Sequence, residues 1–279
     1  QSWISSNSLV GNDNIVVLEA SNDSQNNAIL FGYFTGTIFS TPDGDITSLG
    51  GRDLFLCKYD VNQNLLWFKR FGSTLDVDLY GSLSIGNNDE IYIAGGYKGS
   101  LYYSDTDFLD NSGGIDIFNA KISPLGDIEW IQRSGLGAKL QRATAIKALG
   151  SDEILMAGVY LDSINFNEDT TIYSNNSLVN SYYSKFSTAT GQLIWSKGIN
   201  TITGFLGLYI YDISNGSDFY SFSGSFVDSI GFENDTIVSN SNSQDATVVI
   251  TDQSGNIQWI RTIQSPLSDF SYKSIIDND

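Results

Sequence analysis

Histidine is absent from this chain of 279 residues. Its absence removes Ser-His-Asp and Cys-His nucleophilic systems, and histidine-based zinc and iron sites, before any other residue is considered. The chemistry that remains is that of carboxylates. Asp162, Glu168, Asp169, Asp228, Glu233 and Asp235 offer the acid pairs that glycoside hydrolysis needs, but position along the chain gives no separation between carboxyl groups. Asp89, Asp152 and Asp218 sit in Asn-Asp, Ser-Asp-Glu and Gly-Ser-Asp turns. No loop places oxygen ligands at alternate positions as an EF-hand does, so these three are expected to bond locally within turns rather than to ligate calcium. Cys57 aligns with Ala120, Ser184 and Val249 and reads as a small buried thiol. No catalytic residue, metal site or cofactor is expected.

The elements that carry these residues repeat. Trp3, Trp67, Trp130, Trp195 and Trp259 lie 64, 63, 65 and 64 residues apart and are all the tryptophans of the chain. Other positions keep the same interval: Gly32, Gly95, Gly158 and Gly224, each opening a Gly-x-aromatic-x-Gly/Asp-Ser/Thr stretch or a close variant, then the aromatics Phe39, Tyr103, Phe166 and Phe232. An Asx follows at Asp53, Asp116, Asn180 and Asp245. A side chain replaceable by Asn and present once per unit needs hydrogen-bond acceptance more than charge, which suits a cap on a loop. Self-similarity at a fixed period means one supersecondary unit copied along the chain. The repeats run approximately 13–73, 74–137, 138–200 and 201–265, with fragments 1–12 and 266–279, and together form a single β-propeller domain.

Within the second copy, 80–85, 90–97, 116–122 and 127–133 alternate as strands, with Asn87-Asn88-Asp89 as a turn. That is a four-stranded antiparallel meander. The insertion 99–114 has room for an extra hairpin, and it lengthens the period beyond the roughly 40–50 residues of common propeller blades. Radial repetition of such sheets is a β-propeller, so the fold class is all-β, with four complete blades and partial terminal units. Each tryptophan is expected to be a buried anchor between blades. Lys69, Arg70, Arg133, Lys197 and Arg261 follow the tryptophans and are expected to protect the unpaired edge of the last strand. The apolar run 201–211 reads as a fully buried inner strand. Trp3 with Ile4 reads as the last strand of a unit and 270–276 as the first strand of another, so the native polypeptide is expected to continue beyond Asp279.

A formal net charge of −18 and a pI near 4.1 argue against nucleic acid and anionic membranes as partners. No apolar run approaches the roughly 20 residues of a membrane-spanning helix, so no membrane insertion is expected.

The stretch Gly50-Gly51-Arg52-Asp53-Leu54-Phe55-Leu56-Cys57-Lys58-Tyr59-Asp60, followed by Asn64-Leu65-Leu66-Trp67-Phe68-Lys69-Arg70-Phe71-Gly72, resembles the SBBP-type β-propeller repeat of secreted bacterial proteins. Gly113-Gly114-Ile115-Asp116-Ile117-Phe118 with Gly126-Asp127-Ile128-Glu129-Trp130, and the stretch from Asp252 to Trp259, look similar. The resemblance implies a propeller without catalytic residues in an exported or surface protein, often a substrate of type IX secretion. Thr190-Gly191-Gln192-Leu193-Ile194-Trp195 also looks like the docking element of quinoprotein propellers, which implies packing of Trp195 between blades and no cofactor site.

The expected function is therefore that of a non-enzymatic, secreted or cell-surface interaction module. Its partner is a protein or, alternatively, a glycan bound in a lectin-like way by aromatics such as Tyr102, Tyr103 and Tyr173 beside Asn175. A carboxylate-dependent glycosidase or lyase is the further alternative.

Overall fold

The computed structural model describes residues 8–135, 139–167, 170–174, 177–204, 207–232, 235–239 and 243–276. Trp3 lies outside them, as do Glu168, Asp169, Asn175 and Glu233. The described residues contain strands and turns and no helix.

Four antiparallel sheets follow one another along the chain. The first is built from Ile15–Asn22, Ala28–Phe34, Asp53–Tyr59 and Leu65–Ser73. The second consists of Val77–Ile85, Ile91–Tyr97, Asp116–Ile122 and Ile128–Ser134. Gln141–Leu149, Glu153–Leu161, Val179–Ser187 and Leu193–Thr203 make the third. Tyr209–Asn215, Phe219–Val227, Gln244–Asp252 and Ile257–Ile263 make the fourth. In each the strands pair in sequence order from an inner to an outer one, as in propeller blades.

Three hydrophobic clusters lie between blades, and a fourth, with Phe34, Ile38, Phe55 and Phe68, lies within the first unit. Phe31, Leu54 and Phe71 of the first blade meet Ile93 and Phe118 of the second. Ala94 and Ile117 of the second meet Ile146 and Met156 of the third. Leu155 and Tyr183 of the third meet Ile213 and Phe222 of the fourth. Middle strands are covered on both faces, so Asp116–Ile122 is almost wholly buried although its sequence is not a plain apolar alternation. Burial of each large apolar side chain contributes about 1.5–3 kcal/mol, and the sum links neighbouring units.

Two of the insertion hairpins extend the blade before them, whereas that of the third unit, Ser163–Asn167 with Thr170–Tyr173, forms a two-stranded sheet of its own. Leu101–Tyr102 pairs with the outer strand of the first blade through Leu101↔Ser73 and Tyr102↔Gly72. Ser229–Phe232 pairs with the outer strand of the third through Asn200↔Gly231 and Thr201↔Ile230. The pairings cover only the ends of these two outer strands, beyond Lys69, Arg70 and Lys197, so the stretches that carry the basic residues keep an edge outside these ladders. Arg70 Nη1 also donates to the Thr47 carbonyl (2.7 Å), and Arg133 Nη1, on the outer strand of the second blade, to that of Asp110 (3.0 Å), each fastening the insertion of its own unit.

The run 201–211 is divided: its start completes the outer strand of the third blade and its end opens the inner strand of the fourth. Leu208 and Ile210 are buried, whereas Ile202 is exposed. Residues 270–276 have no regular strand assignment, yet they lie along the fourth blade. The Ser274 amide donates to Asp212 Oδ2 (3.2 Å) and that of Ile276 to Ser214 Oγ (3.3 Å). The Ile146 and Ala148 amides bond the Ser82 and Ser84 hydroxyls in the same way between the second and third blades. Residues 270–276 thus stand where the inner strand of a fifth blade would be.

Candidate functional site

The repeated Asx residues lie fully buried at the start of each third strand. Asp53 Oδ2 accepts from the Leu49 amide of the insertion (2.8 Å), and Oδ1 from the Ser73 amide of the outer strand (3.1 Å). Asp116 Oδ2 accepts from the Ser112 amide (2.7 Å). Asn180 uses both ends of its amide: Nδ2 donates to Ser174 Oγ and the Leu178 carbonyl, and Oδ1 accepts from the Thr201 amide (2.8 Å). Each ties an insertion to the frame. Burial is the largest influence on the Asp53 carboxyl and raises it to about 6, against the opposing hydrogen bonds and Arg70.

The tryptophans form a joint between blades, but not a buried one. A Cβ on Gly126, Gly191 or Gly255 would fall within 2.9 Å of the ring of Trp67, Trp130 or Trp195 respectively. Each indole therefore lies against a glycine turn of the next blade. All three glycines have positive φ, so the position demands glycine for conformation as well as for space. Trp67 Nε1 donates to the Pro124 carbonyl (3.3 Å) and Trp130 Nε1 to that of Thr188 (2.8 Å). The rings are half-buried, because an outermost strand meets solvent on one side. No glycine turn lies against Trp259 among the described residues, and it is 46% exposed. The expectation of burial is corrected accordingly.

The repeated glycines admit the backbone of the inner strand. A Cβ on Gly32, Gly158 or Gly224 would overlap the carbonyl oxygen of Val16, Arg142 or Tyr209. The inner strands of these three blades carry a register shift beside that approach. Bulges of this kind re-aim neighbouring side chains. Gly95 differs, since its Cβ would meet the Phe118 ring instead.

At the N-terminal ends of the inner strands, Tyr80, Arg142 and Tyr209 converge from three successive blades. The Tyr80 and Tyr209 rings are 6.1 Å apart. The Arg142 guanidinium lies 4.7 Å from the Tyr80 centroid, and Nη1 donates to Tyr209 Oη (3.4 Å). Tyr211, Tyr272 and Phe270 continue the group, with centroids 5.2 Å apart for Tyr211–Tyr272 and 5.7 Å for the stacked pair Phe270–Tyr272. Tyr80 is 39% exposed, Phe270 42% and Tyr272 63%. The result is an open collar of aromatic faces and hydroxyls around one guanidinium. Stacking on such faces and bonding to such edges suits flat or polyhydroxylated ligands.

The other end of the same strands is polar. Glu19, Ser84, Lys147, Asp212 and Lys273, one from each successive inner strand position, line a cavity of about 520 Å³. Glu19 Oε2 accepts from the Leu83 amide (2.6 Å) and Ser82 Oγ (2.8 Å). Burial is the largest influence on its carboxyl and raises it, despite these bonds and the charge of Lys273. Asp89 corrects a second expectation: its carboxylate accepts from the Ser24 amide and hydroxyl (2.8 and 2.6 Å), so it joins the turns of two blades instead of bonding within its own.

Of the carboxylates considered for hydrolysis, Asp162 and Asp228 each sit at positive φ at the neck of a separate hairpin, closing it with their carbonyls to Ser174 and Ser239. Asp162 also pairs with Lys139 (3.1 Å). Asp235 begins a hairpin strand. Cys57 is buried and its thiol is pushed up to about 12 by desolvation, which leaves it without thiolate at neutral pH. Among the described residues no group of three or more His, Cys, Asp or Glu is arranged to hold a metal ion. Among the insertion aromatics, Tyr102 packs against Phe108 in a tilted pair (centroids 5.2 Å apart) and Tyr173 is exposed. The collar residues were not singled out by the repeat. Tyr80, Arg142, Tyr209 and Phe270 are not one repeated type, and the level of Arg142 and Tyr209 comes from the register of their strands against Gly158 and Gly224.

No family model matches the chain. It is similar to an uncharacterised WD repeat-containing protein of Acanthamoeba polyphaga mimivirus, 25% identical over 142 residues, which covers 40% of this chain and 10% of the relative. The chain therefore spans a small part of that protein. The repeated four-stranded sheets and this relative agree on an all-β architecture of propeller blades.

Proposed function

We propose that this chain is a non-enzymatic binding module of a secreted or surface-exposed bacterial protein, and that it takes its ligand at the aromatic collar. The SBBP-type resemblance supports the setting, including export by a type IX route. The collar is the observation that carries the reading: six side chains from the inner strands of three blades and from 270–276 present ring faces, hydroxyls and one guanidinium to solvent at a single mouth. The blades hold Tyr80, Arg142, Tyr209 and Tyr211 on paired strands, so this part of the collar needs little ordering on binding.

The geometry favours neutral sugar units of a glycan over a polyanion. Tyrosine rings stack on the apolar faces of sugars while their hydroxyls bond the rims, and a chain of net charge −18 repels polyanions. A protein partner is the second reading, favoured by the exposed Phe39, Phe108 and Tyr173 of the insertion hairpins. Binding on a glycan array, lost in the double variant Tyr80→Ala/Tyr272→Ala and accompanied by no product release, is the expected result. Release of shortened glycans by the wild-type chain would overturn the non-enzymatic reading, and array binding retained by the double variant would remove the collar as the site.

A further inference from the structure

The polar cavity at the end of the axis opposite the collar is lined by six charged side chains, two of which are spent within the chain. Asp23 pairs with Lys58 at 2.8 Å, and Asp89 accepts from the amide and hydroxyl of Ser24. The other four, Glu19, Lys147, Asp212 and Lys273, come from the inner strands of the first, third and fourth blades and from residues 270–276. Taken around the axis in chain order, with the neutral Ser84 of the second blade after Glu19, their signs alternate. The charges of Lys273 and Asp212 both reach Glu19, so the four share one space.

Each of these two carboxylates is fixed to the wall by one oxygen. Glu19 Oε2 accepts from the Leu83 amide and the Ser82 hydroxyl, and Asp212 Oδ2 from the Ser274 amide (3.2 Å), in the bonds that join neighbouring inner strands. Glu19 Oε1 and Asp212 Oδ1 make no hydrogen bond among the described residues. Nor does a direct ion pair join Lys147 or Lys273 to a carboxylate among them. Two uncommitted carboxylate oxygens and two ammonium groups are thus held around about 520 Å³, within the roughly 300–1,000 Å³ of small-molecule sites. The four charges sit on inner strands, and the strands of each blade pair outward from its inner one, away from the axis.

We propose that this cavity is a second ligand site, and that it takes a small zwitterion of the free α-amino-acid class. The ligand carboxylate lies between the Lys147 and Lys273 ammonium groups, and the ligand ammonium donates to Glu19 Oε1 and Asp212 Oδ1. Hydrogen bonds to charged groups are roughly twice as strong as neutral ones, and the anchored carboxylates are in place before binding. A zwitterion carries no net charge, so the −18 of the chain does not repel it. A simple anion leaves both carboxylates unanswered, and a simple cation both ammonium groups. The site is separate from the collar and does not depend on it.

The test is titration calorimetry of the full chain with each of the common free L-amino acids. The tightest is then compared with its N-acetyl derivative, which lacks the ammonium, and its carboxamide, which lacks the carboxylate. The expected result is saturable binding of at least one amino acid, weakened at least tenfold for both derivatives and at least tenfold in the variants Asp212→Asn and Lys273→Gln. Asp212→Asn keeps an acceptor for the Ser274 amide and Lys273 is exposed, so both variants should melt as the wild type does. The comparison of derivatives uses the wild-type chain and stands whatever a variant does to folding. No saturable binding of any amino acid, equal binding of either derivative, or unchanged binding in both variants overturns the proposal. Binding lost in Tyr80→Ala and kept in Lys273→Gln would place the ligand at the collar and overturns it as well.

Discussion

At the scale of the residue, the repeated side chains answer backbone demands. Asp53 is a buried acceptor for amides from an insertion and an outer strand, and an aspartate held this way with its carboxyl raised to about 6 makes stability depend on pH. The folded state holds the proton more tightly than the unfolded chain, whose value is near 3.8. The contribution is thus fully present at low pH and lost as pH rises from about 4 to 6. Asp53→Asn should flatten this slope in melting curves taken from pH 3.5 to 7, because an amide does not titrate and Asn180 fills the equivalent position in the third blade. Asp53→Ala leaves buried amides without an acceptor and should cost about 1–3 kcal/mol at every pH. An unchanged slope in Asp53→Asn would show that this carboxyl titrates as it does in the unfolded chain.

At the scale of the element, the strands were legible and their partners were not. The sequence of the second copy places strands at 116–122 and 127–133, close to the observed Asp116–Ile122 and Ile128–Ser134, because apolar alternation and turn residues are local signals. That the hairpin of one unit would extend the blade before it depends on the distance between units, which no local pattern carries. The tryptophans illustrate the same limit. Their interval marks the repeat, but half-burial follows from the outermost strand and the next blade's turn. Trp130→Ala should cost about 2–4 kcal/mol in urea unfolding, near or below the range for fully buried aromatics, whereas Trp259→Ala should stay within about 0.5 kcal/mol. Equal losses at both positions would contradict the joint.

At the scale of the molecule, four blades and residues 270–276 bring five inner strand positions to one axis, with Glu19, Ser84, Lys147, Asp212 and Lys273 around one polar cavity and the aromatic collar at the opposite end. The collar was hidden in the sequence because its members fall at no fixed repeat interval and the level of Arg142 and Tyr209 is set by bulges opposite Gly158 and Gly224. The central claim is that this collar binds a ligand and leaves it unchanged. Its most direct measurement is NMR of a chain with carbon-labelled aromatic rings, titrated with the best neutral oligosaccharide from an array. The account predicts shifts confined to Tyr80, Tyr209, Tyr211, Phe270 and Tyr272, with the sugar signals intact after prolonged incubation. Shifts confined to the hairpin aromatics Tyr102 and Tyr173, or new reducing-end signals from the sugar, would contradict it.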